Sequence, residues 1–161
     1  MNCRERLEAY LRANGVPFEV QHHPLVYTAH EVAASEHVLA TQMAKVVMVV
    51  ADGALAMLVV PSSRKIDEAA TAATLDVQEV RLAGEHEFEH AFPDCEVGAM
   101  PPFGNLYDIP VYVDRALAEE GRIVFNAGTH TETIACSYVD FERLVKPTAG
   151  ELTAASLIPV M

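Results

Sequence analysis

The sequence has no apolar run long enough to cross a membrane. A membrane-spanning helix needs about 18 consecutive apolar residues, and no stretch of this chain reaches that length, although 51% of its residues are hydrophobic. The first residues, MNCRERLEAYLR, are charged and have helical spacing, which is not the pattern of a signal peptide. We therefore expect a cytoplasmic protein without a membrane partner.

Positive charge is scarce. The chain has 11 Lys and Arg residues against 23 Asp and Glu residues, a formal net charge of −12. Such a chain repels polyanions at long range, so general coating of DNA or RNA is disfavoured, and any nucleic-acid contact has to be local. No helix rich in Arg or Lys is evident, and we expect no DNA partner. Four residues could form a local cationic rim or simply be solvated charges: Arg64, Lys65, Arg143 and Lys146.

Cysteine is also sparse. Cys3, Cys95 and Cys136 are widely spaced, odd in number and form no CxxC motif. This pattern predicts reduced thiols that serve as ordinary small apolar residues. No base paired with any of them is evident, so a catalytic cysteine is not predicted.

No repeat, low-complexity block or long linker divides the 161 residues, which suffice for one domain with a core. Two apolar runs, 45–51 and 54–60, flank Asp52-Gly53 and predict a tight hairpin that is buried on both faces at the centre of a sheet. Helices are predicted at 3–13, from the capping box Thr28–Glu31 onward, and at 68–74, 84–91, 115–120 and 140–145. Further strands are predicted at 17–23, 77–81, 109–113, 122–126 and 132–137. This mixture predicts an α+β fold with a mixed sheet and a loosely tied tail after residue 147.

The sequence contains a literal HExxH motif. On a helix, His86 and His90 would share a face and could bind zinc, with Glu87 as the general base of a hydrolase. The segment is short and acidic, and Phe88 and Phe92 mark its buried face at positions i and i+4. No third ligand or substrate cleft can be identified. We interpret the segment as a solvated acidic helix and predict no metal site.

Three other segments carry candidate chemistry. Lys45 begins an apolar strand, where its ammonium must either reach water or meet an anion. The loop 98–104, GAMPPFG, combines glycines, which allow unusual dihedrals, with prolines, which fix φ. Such a loop is either a rigid turn or a holder of backbone amides and carbonyls in one geometry. Residues 126–130, NAGTH, are a polar segment that ends a predicted strand. A histidine there can line a site or belong to an ordinary turn.

Together these segments resemble the YbaK family, the free-standing relatives of the editing domain inserted in bacterial prolyl-tRNA synthetase. The residues that match the family motifs are Lys45, Gly98 to Pro102, Gly128 and His130, with further similarity at Thr28–Glu31 and 61–67. The resemblance covers roughly residues 1–147, which we predict to be the editing domain, and leaves 148–161 as a C-terminal tail.

The resemblance implies a compact domain around a mixed, barrel-like sheet flanked by helices, and hydrolysis of the ester that joins a wrong amino acid to tRNA. It implies Lys45, Gly98 and His130 as catalytic residues, without metal, cofactor or catalytic triad. The loop would hold the aminoacyl group through its backbone, Lys45 would bind phosphate or ribose at the tRNA 3′ end, and His130 would line the pocket. A ribose hydroxyl would help to activate or orient the attacking water. The substrate-binding residues implied are Thr28, Val46, Ala99, Met100, Pro101, Pro102, Phe103, Gly104, Gly128 and Thr129.

Val46 departs from the alanine-specific members of the family, which tend to carry Asn at this position. The departure leaves cysteine, serine, threonine or a non-protein amino acid open as the substrate, on proline tRNA or a related tRNA. The implied partners are the aminoacyl-tRNA 3′ end and a synthetase that could supply affinity. The alternative is a non-catalytic binder of an aminoacyl-adenosine or amino-acid derivative. Retention of Lys45, the loop and His130 favours the enzyme.

Overall fold

The computed structural model describes residues 2–26, 28–36 and 38–154. The helices in these ranges are α1 (Cys3–Ala13), α2 (Ala29–Ser35), α3 (Glu68–Leu75), α4 (Glu85–Phe88), α5 (Arg115–Ala118) and α6 (Tyr138–Val145). The strands are β1 (Glu19–His22), β2 (Ala44–Ala51), β3 (Ala54–Pro61), β4 (Lys65–Ile66), β5 (Val80–Leu82), β6 (Val111–Asp114), β7 (Arg122–Asn126), β8 (Glu132–Ser137), β9 (Thr148–Gly150) and β10 (Thr153–Ala154). Two short 3₁₀ helices are Glu89–Ala91 and Gly104–Tyr107. None of the helices in the described ranges is long and apolar enough to cross a membrane.

The strands form a mixed five-stranded sheet with two smaller antiparallel sheets. The order in the large sheet is β5-β2-β3-β6-β9, with β2 and β3 antiparallel and β6 parallel to both β3 and β9. The smaller sheets are β1-β8-β7 and β10-β4. The predicted α+β class is confirmed. The predicted barrel-like form is corrected, because in the described ranges β5 and β9 are open edges and the large sheet is not closed into a barrel.

The central hairpin is confirmed. Asp52 and Gly53 both have positive φ, 46° and 85°, which suits the tight turn between two twisted strands. One face of the hairpin packs into a core that contains Met48 and Val59. The opposite face packs into a second core that contains Leu58. Burial on both faces explains why these strands are apolar without alternation.

The larger core is built around aromatic rings. The Phe103 ring centroid lies 5.5 Å from that of Phe125 and 5.7 Å from that of Phe141. Phe103 follows the two prolines of the loop 98–104 and is fully buried. The loop is therefore anchored in the core at its C-terminal end.

Several predicted elements are shorter in the structure. β5 does not extend over 77–79, because Asp76 ends α3 in a left-handed conformation and the Asp52 carboxylate accepts hydrogen bonds from the backbone of Gln78 and Glu79. The predicted helix 84–91 is α-helical only to Phe88. By contrast α1, β7 and β8 have the predicted bounds.

The tail after residue 147 is more ordered than predicted. β9 pairs with β6, and β10 pairs with β4. The Asp114 carboxylate accepts hydrogen bonds from the backbone N–H groups of Leu152 and Thr153 and from the Thr153 hydroxyl. The prediction of a loosely tied tail is therefore corrected for residues 148–154, whereas 155–161 lie outside the described residues.

Candidate functional site

The loop and the turn that carries His130 are hydrogen-bonded to each other through their backbones. The Gly128 N–H donates to the Ala99 carbonyl at 2.9 Å, and the Glu96 N–H donates to the Gly128 carbonyl at 2.8 Å. Gly98 and Gly128 have φ values of 87° and 95°, a region that side chains other than glycine rarely adopt. We refer to residues 96–104 and 126–131 together as the clamp.

The His130 side chain reinforces this contact. Its Nε2 lies 2.9 Å from the Val97 carbonyl oxygen, so Nε2 carries a proton that it donates to this acceptor. The His130 backbone N–H donates to the Glu96 carboxylate at 3.3 Å. A Cβ atom on Gly98 would lie 3.5 Å from His130 Cε1. The imidazole thus packs directly beside the first residue of the loop.

The side chains of the loop largely face inward. Met100, Pro101, Pro102 and Phe103 are buried. The part of the loop that is open to solvent is Gly98, whose N–H meets only the Met100 sulfur at 3.2 Å. A thioether is a weak acceptor, so the Gly98 N–H can donate instead to a stronger acceptor on a ligand. Gly98 is therefore the residue of the loop that a ligand in solvent could reach.

Lys45 lies at the start of β2, half-buried, opposite Val60. Burial lowers the pKa of its ammonium, and the charge of Lys65 lowers it further. Within residues 2–26, 28–36 and 38–154 the ammonium has no hydrogen bond or ion pair. A half-buried cation beside a second cation is suited to bind an anion.

Strand register places Lys45 on a particular face. Met43 forms a parallel bridge with Val124. Because side chains two residues apart share a face, Lys45 lies on the same face as Met43, and Asn126 lies on the same face of β7 as Val124. Val46 points to the opposite face and packs against the aromatic core. No hydrogen bond in the described ranges joins Lys45 to the clamp, so their link is the position of Asn126 at the end of β7.

Sequence reasoning missed a buried polar strip next to Asn126. Thr133 lies opposite Asn126, and its hydroxyl donates to the Glu36 carboxylate at 2.8 Å. His23 Nε2 lies 3.8 Å from Glu36 Oε2, and these two side chains are 1% and 3% exposed. In the described part of the chain, Asn126 Oδ1 and His23 Nε2 are buried without a hydrogen-bond partner. We refer to these four residues as the polar strip.

Two threonines of the predicted site have structural partners. Thr28 caps α2, with its hydroxyl oxygen accepting from the Glu31 N–H at 3.1 Å, so the predicted helix start is confirmed. The Thr129 hydroxyl donates to the Glu132 carboxylate at 3.1 Å. A role of either threonine in substrate binding stays a prediction.

The HExxH segment does not have the geometry of a zinc-binding helix. α4 ends at Phe88, and His90 lies beyond it with a side chain that is 92% exposed. The Glu87 carboxylate is held by the Arg81 guanidinium in two contacts of 2.7 Å, which lowers the pKa of Glu87 to about 2. Phe88 and Phe92 are buried as predicted. The segment is a short, solvated acidic helix followed by a 3₁₀ turn.

The chain forms a single α+β domain in which the clamp joins the loop 98–104 to the turn after β7. A family model described as the aminoacyl-tRNA editing domain matches residues 23–144. The chain belongs to this family. No relative among curated proteins matches it.

Solved structures share the fold at low sequence identity. A candidate trans-editing enzyme for prolyl-tRNA synthetase superposes with a TM-score of 0.82 and 19% identity, over 95% of this chain and 98% of the other. The hypothetical protein APE2540 gives 0.83 and 18%, over 92% and 99% of the two chains. A candidate signal transduction protein from Marinobacter aquaeolei VT8 gives 0.71 and 14%, over 92% of this chain and 31% of the other. At these identities the likeness shows the fold alone.

Proposed function

We propose that this protein is an aminoacyl-tRNA deacylase that acts in trans on a mischarged tRNA, with proline tRNA or a related tRNA as the acceptor. Membership of the editing-domain family supports the reaction class. The observation that carries the proposal is the clamp, which holds Gly98 at positive φ beside the imidazole of His130. Water attacks the ester carbonyl carbon, the bond to the ribose oxygen breaks, and that oxygen takes the proton.

The Gly98 backbone supplies electrostatic stabilisation in this reaction. Its N–H is weakly bonded to the Met100 sulfur, and Gly98 itself is exposed to solvent and held at positive φ within the clamp. A fixed N–H aimed at the ester carbonyl oxygen stabilises the negative charge that develops there. Since an aminoacyl ester is already activated, positioning of the ester and water supplies much of the remaining acceleration.

Lys45 binds the 3′-terminal nucleotide in this proposal. Its unpaired ammonium and the nearby Lys65 charge provide a local positive site on a chain of net charge −12. Two cations are a small electrostatic contribution, so binding of tRNA is weak and salt-dependent. A synthetase that delivers the mischarged tRNA would supply the missing affinity.

The polar strip supplies the polar side of the substrate pocket. Asn126 Oδ1 is a buried acceptor without a hydrogen-bond partner in the described residues, and it lies at the end of β7, the strand that bridges to Met43 just before β2. An amine or hydroxyl of the aminoacyl adenosine would satisfy it, and an unsatisfied buried acceptor rejects a ligand that lacks such a donor. Val46 faces the aromatic core, so it shapes the pocket through packing.

One observation keeps a non-catalytic binder as the second candidate. His130 Nε2 is engaged with the Val97 carbonyl and so does not act as a general base at that nitrogen. The reaction then depends on a hydroxyl of the terminal ribose to orient water. A protein that binds an aminoacyl adenosine without hydrolysing it would use the same clamp.

Turnover separates these two functions. Mischarged tRNA is incubated with a tenth of its molar amount of protein, and the loss of ester is followed over time. An enzyme releases many amino acids per protein molecule, whereas a binder leaves the spontaneous rate unchanged or slows it by protection. Gly98→Ala, which disturbs the clamp, is expected to return the rate to the spontaneous one.

A further inference from the structure

Two cysteines that are distant in the sequence meet beside the clamp. The Cys3 and Cys95 sulfur atoms are 2.6 Å apart, with the Cys95 thiol donating to Cys3 Sγ, across 92 residues of sequence. Cys3 is the first residue of α1, and its backbone N–H donates to the Asp94 carbonyl at 3.2 Å. The two thiols are therefore fixed against each other by backbone contacts as well as by packing.

The surroundings of the thiol pair are polar. The Tyr107 hydroxyl lies 3.5 Å from Cys3 Sγ and 3.3 Å from Cys95 Sγ, and it donates to the Asp94 carboxylate at 2.9 Å. The Arg6 guanidinium lies 4.7 Å from the centre of the Tyr107 ring and 3.7 Å from Asp94 Oδ2. The Tyr107 hydroxyl and the Arg6 charge favour an anion at Cys3 Sγ, whereas the Asp94 charge opposes it.

The two thiols have different roles in this environment. The hydrogen bond from Cys95 lowers the pKa of Cys3 although burial opposes it, while the same bond and burial raise the pKa of Cys95. A position in the first turn of a helix also favours the thiolate of Cys3. The Cys3 thiol therefore loses its proton more readily than the Cys95 thiol.

We propose that Cys3 and Cys95 form a dithiol site that a peroxide oxidises reversibly to a disulfide. The Cys3 thiolate attacks one peroxide oxygen, the O–O bond breaks, and Cys3 becomes a sulfenic acid as hydroxide leaves and takes a proton. The Cys95 sulfur then attacks the sulfenic sulfur, the S–O bond breaks, and the hydroxyl leaves as water with the Cys95 proton. In total one peroxide is reduced to two waters, and two thiols are oxidised to one disulfide. A dithiol reductant reverses the change by exchange.

The disulfide would act on the clamp directly. Cys3 packs on Gly128 so closely that a Cβ there would lie 2.6 Å from Cys3 Sγ. Cys95 immediately precedes Glu96, which is hydrogen-bonded to Gly128. Oxidation therefore ties the start of α1 to both halves of the clamp. The consequence for deacylation rests on the proposed function, whereas the oxidation itself does not.

A metal site is the competing use of these residues. Ligand atoms of Cys3, Asp94 and Cys95 lie within 4.8 Å of one another. The contact of 2.6 Å between the sulfurs is too short for two sulfur ligands at about 2.3 Å from a tetrahedral zinc ion. The Tyr107 hydroxyl also lies among the three groups. These features favour disulfide formation over metal binding.

The test is chemical mapping of the full-length protein. Reduced protein is treated with one equivalent of hydrogen peroxide, free thiols are alkylated in denaturant, and peptides are mapped by mass. We expect a single disulfide between Cys3 and Cys95, reversed by dithiothreitol, with Cys136 alkylated. Cys136 is a matched internal control, because burial raises its pKa to about 12. Cys136→Ala should form the disulfide at an unchanged rate.

Three results overturn the proposal: Cys3 and Cys95 both remain alkylatable, the disulfide forms only between molecules, or purified protein holds one zinc that Cys3→Ser releases. Cys3→Ser and Cys95→Ser each should abolish the disulfide, with folding verified by circular dichroism. If a serine variant does not fold, the wild-type map still decides the question. An upward shift of the unfolding temperature on oxidation gives a second readout that is independent of deacylation.

Discussion

The His130 Nε2 atom lies 2.9 Å from the Val97 carbonyl oxygen, 33 residues earlier in the chain. This hydrogen bond joins the turn after β7 to the loop that presents the Gly98 backbone. His130 therefore positions the loop, whatever further contact it makes with the substrate.

His130→Ala leaves the Val97 carbonyl without its donor. We expect the free energy of unfolding to fall by about 1–3 kcal/mol, the usual cost of an unsatisfied buried group, and deacylation to fall at least tenfold. His130→Gln can still place an N–H near the position of Nε2 and should recover part of both losses. Urea unfolding and single-turnover deacylation measure the two effects. Full activity in the alanine variant would contradict the positioning role.

Gly98→Ala places a side chain at a φ of 87°, beside His130. A left-handed conformation costs about 1–2 kcal/mol for a residue other than glycine, and relaxation of the loop would turn the Gly98 N–H away from the substrate. We expect deacylation to fall at least tenfold. Gly53→Ala is the matched control, because Gly53 has a φ of 85° with no atom within 4 Å of an added Cβ. It should cost similar stability and leave the rate unchanged, and equal activity losses in both variants would contradict this account.

Lys45 gives the reaction a pH dependence of known sign. Because burial and the Lys65 charge lower its pKa, Lys45 loses its charge at a lower pH than an ordinary lysine. Binding through the ammonium therefore weakens as the pH rises through that lowered value. Lys65→Gln removes one cause of the lowering, so the alkaline fall in kcat/KM should move to higher pH. The pH profiles of both proteins test this prediction, and an unchanged midpoint would contradict it.

Asp114→Ala tests how the C-terminal strands are held. The Asp114 carboxylate accepts two backbone N–H bonds and one hydroxyl bond from residues 152–153. Since hydrogen bonds to charged groups contribute about 1.5–3 kcal/mol each, and non-additively, we expect a loss of about 3 kcal/mol in the free energy of unfolding. Glu119→Ala, a nearby exposed carboxylate, serves as the control. A loss below about 1 kcal/mol would show that residues 148–154 are held by other contacts.

Elements whose stabilising contacts lie within a few residues of each other, such as a tight turn or a helix cap, could be predicted from local sequence patterns. The hairpin at Asp52-Gly53 is set by a turn dipeptide between apolar runs, and the start of α2 is set by the Thr28 N-cap. β9 and β10 could not be predicted in this way, because their short segments are stabilised by pairing with distant strands and by Asp114. Residues 148–154 lack the alternation of apolar and polar residues from which a strand could have been predicted.

In the candidate site too, features within a short segment could be recognised from the sequence, whereas contacts between distant segments could not. The residue types of the loop 98–104 and the turn 126–130 marked them as candidates, the family resemblance implied a common site, and the structure shows them hydrogen-bonded to each other in the clamp. The polar strip was missed because Glu36 and Thr133 are 97 residues apart. The pairing of Cys3 with Cys95 was missed for the same reason, since spacing alone presented each as an isolated apolar residue.

The proposal that this protein is a deacylase is tested most directly by measuring deacylation of a panel of mischarged tRNAs at low salt, by wild-type protein and by Lys45→Ala. The panel contains alanine, cysteine and serine on proline tRNA, and serine and threonine on their own tRNAs. We expect catalytic hydrolysis of at least one substrate, reduced at least tenfold in the folded Lys45→Ala variant. Spontaneous rates across the panel with correctly folded wild-type protein, or hydrolysis that does not depend on Lys45, would contradict it.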